Sequence, residues 1–184
     1  MKYAVIDVGS NTVRLCVYDV LCPEKRKFKT IMNRKIMAGL AAYIVDGAFS
    51  DEGIAEAILA VKKCIKRASY LSPDRIDVFA TAVLRNISNS AQAIAAIEQG
   101  AGCSISLLSN ADEAHLGFVG ASSRGTLDDG ALIDIGGGST EITVIENGID
   151  VARTSLPQGS LSSYKRFVGD ILPTQNEISA IRAS

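Results

Sequence analysis

One histidine and four cysteines are all the sequence offers of the residues that build zinc sites, and neither type clusters. Cys16, Cys22, Cys64 and Cys103 are scattered with no C-x-x-C pair, so zinc-site and disulfide-framework readings are both poor and buried thiols are the simplest account. An excess of charge is missing too. Nineteen Lys and Arg against twenty Asp and Glu give a formal net charge of −1, which removes the basic surplus expected of a protein that binds nucleic acid by its whole surface. No apolar run approaches the roughly 20 residues a bilayer demands, and no basic stretch followed by an apolar segment opens the chain. The expectation is a soluble, cytoplasmic protein with neither nucleic-acid nor membrane partners, which holds any anion locally.

What is present is ordinary in bulk. The 184 residues are 47% hydrophobic and 21% charged, near the globular norm, and fit one generous domain or two small ones. Basic residues gather at Lys25, Arg26, Lys27, Lys29, Arg34 and Lys35. Such a run is most often a solvated hairpin face and less often a contact for a long anionic ligand.

Apolar residues 3–6 stop at Asp7 and Gly9, after which Val13, Leu15 and Val17 alternate with polar neighbours, which predicts strand, tight turn, strand. A third strand is predicted over 27–34. Ser50, Asp51 and Glu52 offer a cap and negative charge ahead of Ile54, Ile58, Val61 and Ile65, which recur at helical spacing until Pro73. Strands at 76–80 and 105–108 then alternate with helices at 90–99 and 111–119, and this order means an α/β domain. The short polar stretch 120–130 reads as a hinge, followed by strands at 131–135, 141–146 and 149–156, the last two joined by the hairpin pair Asn147-Gly148. Residues 176–182 read as the start of a helix. The expected division is a first lobe over 1–121 and the beginning of a second over 122–184.

Residues 5–12 align without a gap to residues 132–139, at an offset of 134 − 7 = 127 residues, so each lobe begins with strand, Asp, Gly-rich turn, strand. Glycine admits positive φ and removes the Cβ that would obstruct a ligand, so backbone N–H groups at Gly9, Ser10, Asn11 and Thr12, and at Gly136, Gly137, Gly138 and Ser139, can point at phosphate oxygens. Asp7 and Asp134 end their strands where a hydrated Mg²⁺ could be held with phosphate oxygens completing its shell. A single copy would more often read as a mere hairpin with an Asx-type turn. The duplication, with three successive glycines in the second copy, favours close approach by a ligand.

Four segments carry a family resemblance across nearly the whole chain: I-D-V-G-S-N-T-V-R-L at 6–15, A-T-A-V-L-R-N at 80–86, L-S-N-A-D-E-A at 108–114 and D-I-G-G-G-S-T-E at 134–141. Together they resemble the exopolyphosphatase and guanosine pentaphosphate phosphatase family, a branch of the superfamily of sugar kinases, Hsp70 and actin. The resemblance implies an α/β, ribonuclease H-like lobe followed by an incomplete second lobe. It further implies a Mg²⁺-dependent hydrolase that releases terminal phosphate from inorganic polyphosphate or a guanosine pentaphosphate, with guanosine penta- or tetraphosphate as alternative ligands and a homodimer allowed. Glu113 matches the general base, Arg85 an Arg facing the phosphate, and Asp134 and Glu141 the positions linked with metal and the attacking water. The chain departs from the family in the apolar loop 37–43 and at Asn110, where glycine is common. His115 stands where Arg is more frequent and reads as structural. A non-catalytic binder of polyphosphate or alarmone, and a kinase relative that transfers phosphate from ATP, are the competing readings.

Overall fold

The computed structural model describes residues 1–24, 27–123, 125 and 127–184, and its contacts divide into two compact units, Met1–Ser109 and Asn110–Ser184. The sequence expectation drew this line after residue 121. The contacts draw it earlier because the helix beginning at Asn110 packs on the strands of the second unit.

The first unit opens with an antiparallel meander, β1 (Lys2–Val8), β2 (Thr12–Cys22) and β3 (Lys27–Met37). A 3-10 turn at Leu40–Tyr43 and a small hairpin, β4 (Ile44–Val45) and β5 (Ala48–Phe49), lead into α1 (Asp51–Ser69). Then come β6 (Arg75–Ala80), α2 (Ala82–Arg85), α3 (Ser90–Ala101) and β7 (Ser106–Leu107). The sheet order is β3-β2-β1-β6-β7, with β6 parallel to β1 and β7 parallel to β6.

Alternation decides which face of this sheet is dry. Ala4, Ile6 and Val8 lie opposite Val17, Leu15 and Val13, and all six are fully buried. Burying an aliphatic side chain of this size is worth about 1.5–3 kcal/mol, so this layer is the main driving force of the unit. Helix α1 brings Ala57, Ala60, Val61, Cys64 and Ala68 to the same core at helical spacing. It starts as the sequence predicts: the Ser50 side chain accepts from Gly53 N at 3.2 Å, and Asp51 and Glu52 occupy the first turn. Burial pushes the Cys64 thiol up from its ordinary pKa.

The basic run does not form a single stripe. Lys25 and Arg26 lie outside the described residues, while Arg34 sits opposite the buried Leu15 and Lys35 opposite Arg14, on alternate faces of the edge strand β3.

The second unit begins with α4 (Asn110–Ser122), continues through β8 (Gly130–Ile135), β9 (Thr140–Glu146) and β10 (Ile149–Leu156), and ends with α5 (Ser160–Phe167) and α6 (Gln175–Ala183). Its strands form an antiparallel sheet in the order β10-β9-β8. Asn147 and Gly148 make the predicted hairpin turn with φ of 52° and 72°. Helix α4 covers one face: Ala114 and Phe118 are buried, and Thr143 Oγ1 donates to Ala114 O at 3.4 Å. Glu141, Thr143 and Ile145, alternate residues of β9, are buried on this side. A capping box of Thr174 and Glu177 starts α6. Among the described residues, no helix is long and apolar enough to cross a membrane.

Candidate functional site

The repeat read from the sequence is a repeat of geometry. Gly9 N donates to Thr12 O at 3.0 Å between β1 and β2, and Gly136 N donates to Ser139 O at 2.9 Å between β8 and β9. A Cβ would lie 3.2 Å from the Thr12 carbonyl at Gly9 and 3.1 Å from the Ser139 carbonyl at Gly136, tighter than a side chain comfortably allows.

In both copies the segment after the third strand folds back to take the carbonyls of the turn. Ser10 O accepts from Ala41 N at 2.8 Å, and Asn11 O accepts from Ala38 N at 3.1 Å and Gly39 N at 2.9 Å. In the second unit Gly136 O accepts from Ser160 N at 2.9 Å, and Gly137 O accepts from Leu161 N and Ser162 N, each at 3.0 Å. The amides of Ser10 and Asn11, and of Gly137 and Gly138, donate to no acceptor among the described residues. Each turn therefore has its negative ends engaged and a set of N–H donors left over, the arrangement of an anion-binding concavity. Ser10 and Ser139 are buried within it.

Gly159 makes the second closure sterically feasible. A Cβ there would stand 2.6 Å from Gly137 C and 2.7 Å from Gly136 O, so backbone meets backbone. The first copy has Gly39 just past its third strand, with φ of 58°. A glycine soon after the third strand in both copies, Gly39 and Gly159, is the trace of this closure in the sequence.

Within the first unit, β1, β6 and β7 end together, with Val8 opposite Ala80 and Ala80 opposite Leu107. Thr81 N donates to Val8 O at 3.4 Å, and Leu108 N to Ala80 O at 2.9 Å. Leu84 N and Arg85 N both donate to Thr81 O at 3.1 Å, and Arg85 Nη1 donates to Leu108 O at 2.8 Å. Arg85 is thus held at the carboxyl end of the parallel strands, beside the turn of residues 9–12, where open α/β sheets receive ligands. Asp7, the last polar residue of β1, faces Arg14 across the strand pair.

Within the second unit, Asp134 faces Glu141 instead. Two carboxylates directly opposite repel one another. Glu141 is buried at 5% exposure and its Oε1 accepts from Ser155 Oγ at 2.8 Å, a support the sequence did not reveal, whereas Asp134 is exposed. A Cβ on Gly117 of α4 would lie 3.9 Å from Asp134 Oδ2. Glu113 precedes Gly117 by one helical turn and so shares the helix flank turned toward Asp134. His115 lies on the other flank, its Nδ1 2.7 Å from Asp150 Oδ2. The expected division over 1–121 places Glu113 in the first lobe; its helix packs on β8, β9 and β10.

These oxygens are hard donors of the kind Mg²⁺ takes. Among the described residues no three His, Cys, Asp or Glu form a ligand group, so the chain offers two adjacent carboxylates in the second unit and not a cage. Mg²⁺ commonly binds in that way, keeping waters and taking phosphate oxygens.

The Ppx/GppA phosphatase family model matches residues 22–184 and leaves β1 and its turn outside the match. An exopolyphosphatase from Cytophaga hutchinsonii superposes over 98% of this chain and 58% of its own, with a TM-score of 0.87 and 23% identity. The type II variant of the Aquifex aeolicus Ppx/GppA phosphatase superposes over 98% of this chain and 60% of its own, with a TM-score of 0.74 and 22% identity. The ethanolamine utilization protein EutJ from Carboxydothermus hydrogenoformans covers all of this chain and 62% of its own, with a TM-score of 0.57 and 22% identity. The chain therefore spans about three fifths of the length of these structures and shares their mixed α/β fold.

Proposed function

Since this chain belongs to the Ppx/GppA phosphatase family, we propose that it serves a hydrolase releasing terminal orthophosphate from inorganic polyphosphate, from guanosine pentaphosphate, or from both. The observation that carries this reading is the pair of turns at 9–12 and 136–139, whose carbonyls are engaged from behind while four amides donate to no described acceptor. Ser10, Asn11 and Thr12, and Gly137, Gly138 and Ser139, would bind phosphate oxygens through N–H and hydroxyl groups, whereas Gly9 and Gly136, expected from the sequence to donate as well, use their N–H groups to close the turns. Arg85 would add a positive charge from an anchored guanidinium.

Glu113 would take a proton from water as the water oxygen attacks the terminal phosphorus. The bridging P–O bond breaks, and the shortened chain leaves with the electron pair. Asp134 and Glu141 would hold Mg²⁺, with Asp7 as the equivalent carboxylate of the other copy, and the bound ion would supply charge neutralisation at the phosphate oxygens. Ser155, hydrogen-bonded to Glu141, would keep that carboxylate oriented.

The test is phosphate release from each substrate, with and without Mg²⁺, by wild type and Glu113→Gln. The variant should keep polyphosphate binding by calorimetry and lose roughly 10²–10⁴-fold in release. Undiminished release would remove Glu113 from this role. The alternative reading is binding without hydrolysis. Mg²⁺-dependent binding by a wild type that releases no phosphate would establish it.

A further inference from the structure

Strand β10 carries a device the reaction does not account for. Asp150 and Arg153 are three residues apart, and on a regular strand they would point to opposite faces. The pairing with β9 slips between Asp150, opposite Ile145, and Ala152, opposite Val144, which leaves Val151 as a bulge. The extra residue returns Arg153 to the face of Asp150, a common use of bulges. Arg153 Nε and Nη2 then lie 2.6 Å and 2.5 Å from Asp150 Oδ2. His115 Nδ1 reaches the same oxygen at 2.7 Å from α4. The Asp150 side chain is 7% exposed, and its carboxyl is held below the ordinary carboxylate range, first by the His115 hydrogen bond and then by Arg153.

The clamp grips a helix that buries few side chains. Gly117 and Gly120 interrupt α4, Leu116 and Val119 are exposed, and its buried side chains are Ala114 and Phe118. His115 and Glu113 flank Ala114 on opposite sides. A roll of the helix about that stripe would move the Glu113 carboxylate relative to Asp134.

We propose that the bulge at Val151 exists to build a His115–Asp150–Arg153 clamp that fixes the roll of α4, making His115 a positioning residue for Glu113. The last clause rests on the base role proposed above; the clamp itself does not. The charged groups facing α4 from the sheet are Asp134 and Glu141 on β8 and β9, and Asp150 and Arg153 on β10, with Asp112 and Glu113 on the helix itself. The clamp brings two donors, the His115 imidazole on α4 and the Arg153 guanidinium on β10, to one carboxylate oxygen, so removing either one loosens the hold on the helix.

The experiment is amide hydrogen exchange of the purified chain, compared as protection factors, for wild type, His115→Leu, His115→Arg and Arg153→Gln. Protection in α4 should be several-fold lower in His115→Leu than in wild type and be restored in His115→Arg. Arg153→Gln should lower it as well. Protection of β1 and α1 should not move, which separates loosening from unfolding. In parallel, His115→Leu should lower kcat on polyphosphate roughly tenfold with KM nearly unchanged, and His115→Arg should restore it. Equal α4 protection in wild type and His115→Leu overturns the clamp. The full exchange pattern in a wild type that releases no phosphate supports the clamp and defeats the hydrolase reading instead.

Discussion

Ile6 and Val8 in the first unit are wholly buried, while Ile133 and Ile135, their counterparts at the 127-residue offset, are 59% and 66% exposed. The strands share a pattern, a turn and a pairing partner, so the difference does not lie in the strands. In the first unit α1 packs on the face that carries Ile6 and Val8, and β6 adds to the other edge of β1. In the second, α4 packs on the opposite face, over Glu141 and Thr143, and β8 pairs with β9 alone among the described strands. Ile135 instead borders an open crevice of about 410 Å³, shared with Leu156, Tyr164 and Ile181. An alternating strand specifies two faces. Which of them becomes core depends on the helix that arrives.

The largest test of this comparison pairs Ile6→Ala with Ile133→Ala. The first should cost about 2–5 kcal/mol in the urea unfolding of its unit, whereas the second should stay within about 0.5 kcal/mol. Similar losses would mean that the exposed face is covered in solution. Gly159→Ala comes next: forcing a methyl into the 2.6 Å gap at Gly137 should cost about 1–3 kcal/mol. Gly39→Ala, where a Cβ meets nothing within 4 Å but φ is 58°, should cost about 1–2 kcal/mol. If the two changes behave alike under denaturant, the copies close their turns by one mechanism and not by space in one and backbone conformation in the other.

Gly117→Ala should stabilise the second unit by about 0.5–1 kcal/mol, because its Cβ would make only ordinary contact with Asp134. A loss would show that the flank is tighter than it stands. The smallest effect is electrostatic. The Asp150 pKa is lowered in the folded state, so its stabilising contribution is full above the ordinary carboxylate pKa of about 4 and is lost as pH falls through the lowered folded value. An acid titration monitored on the second unit should therefore be flatter in Arg153→Gln than in wild type.

Most of the elements were legible because their signals are local. The alternation in β1 and β2, the Ser50 cap of α1 and the Asn147-Gly148 turn each depend on neighbours in sequence, and the observed strands and helix follow them. The repeat was legible for the same reason. Short or tertiary elements were not. The β4–β5 hairpin rests on two residues per strand around Asp46 and Gly47, and α5 has no buried residue to leave a periodic trace. The support of Glu141 by Ser155 and the clamp on His115 were invisible because register and a bulge, which sequence spacing does not disclose, bring the partners together. His115 looked inert in isolation, and its meaning came from a residue 35 positions away.

The closed backs of the two turns also set a polarity. With the oxygens of Ser10, Asn11, Thr12, Gly136, Gly137 and Ser139 already accepting hydrogen bonds from their own chain, a bare cation would have to compete with those bonds, while an anion would meet dipoles already aligned and displace no internal bond. On the proposed reading, discrimination by sign of charge would reside in the main chain, and side-chain substitutions around the turns would adjust its strength without reversing it.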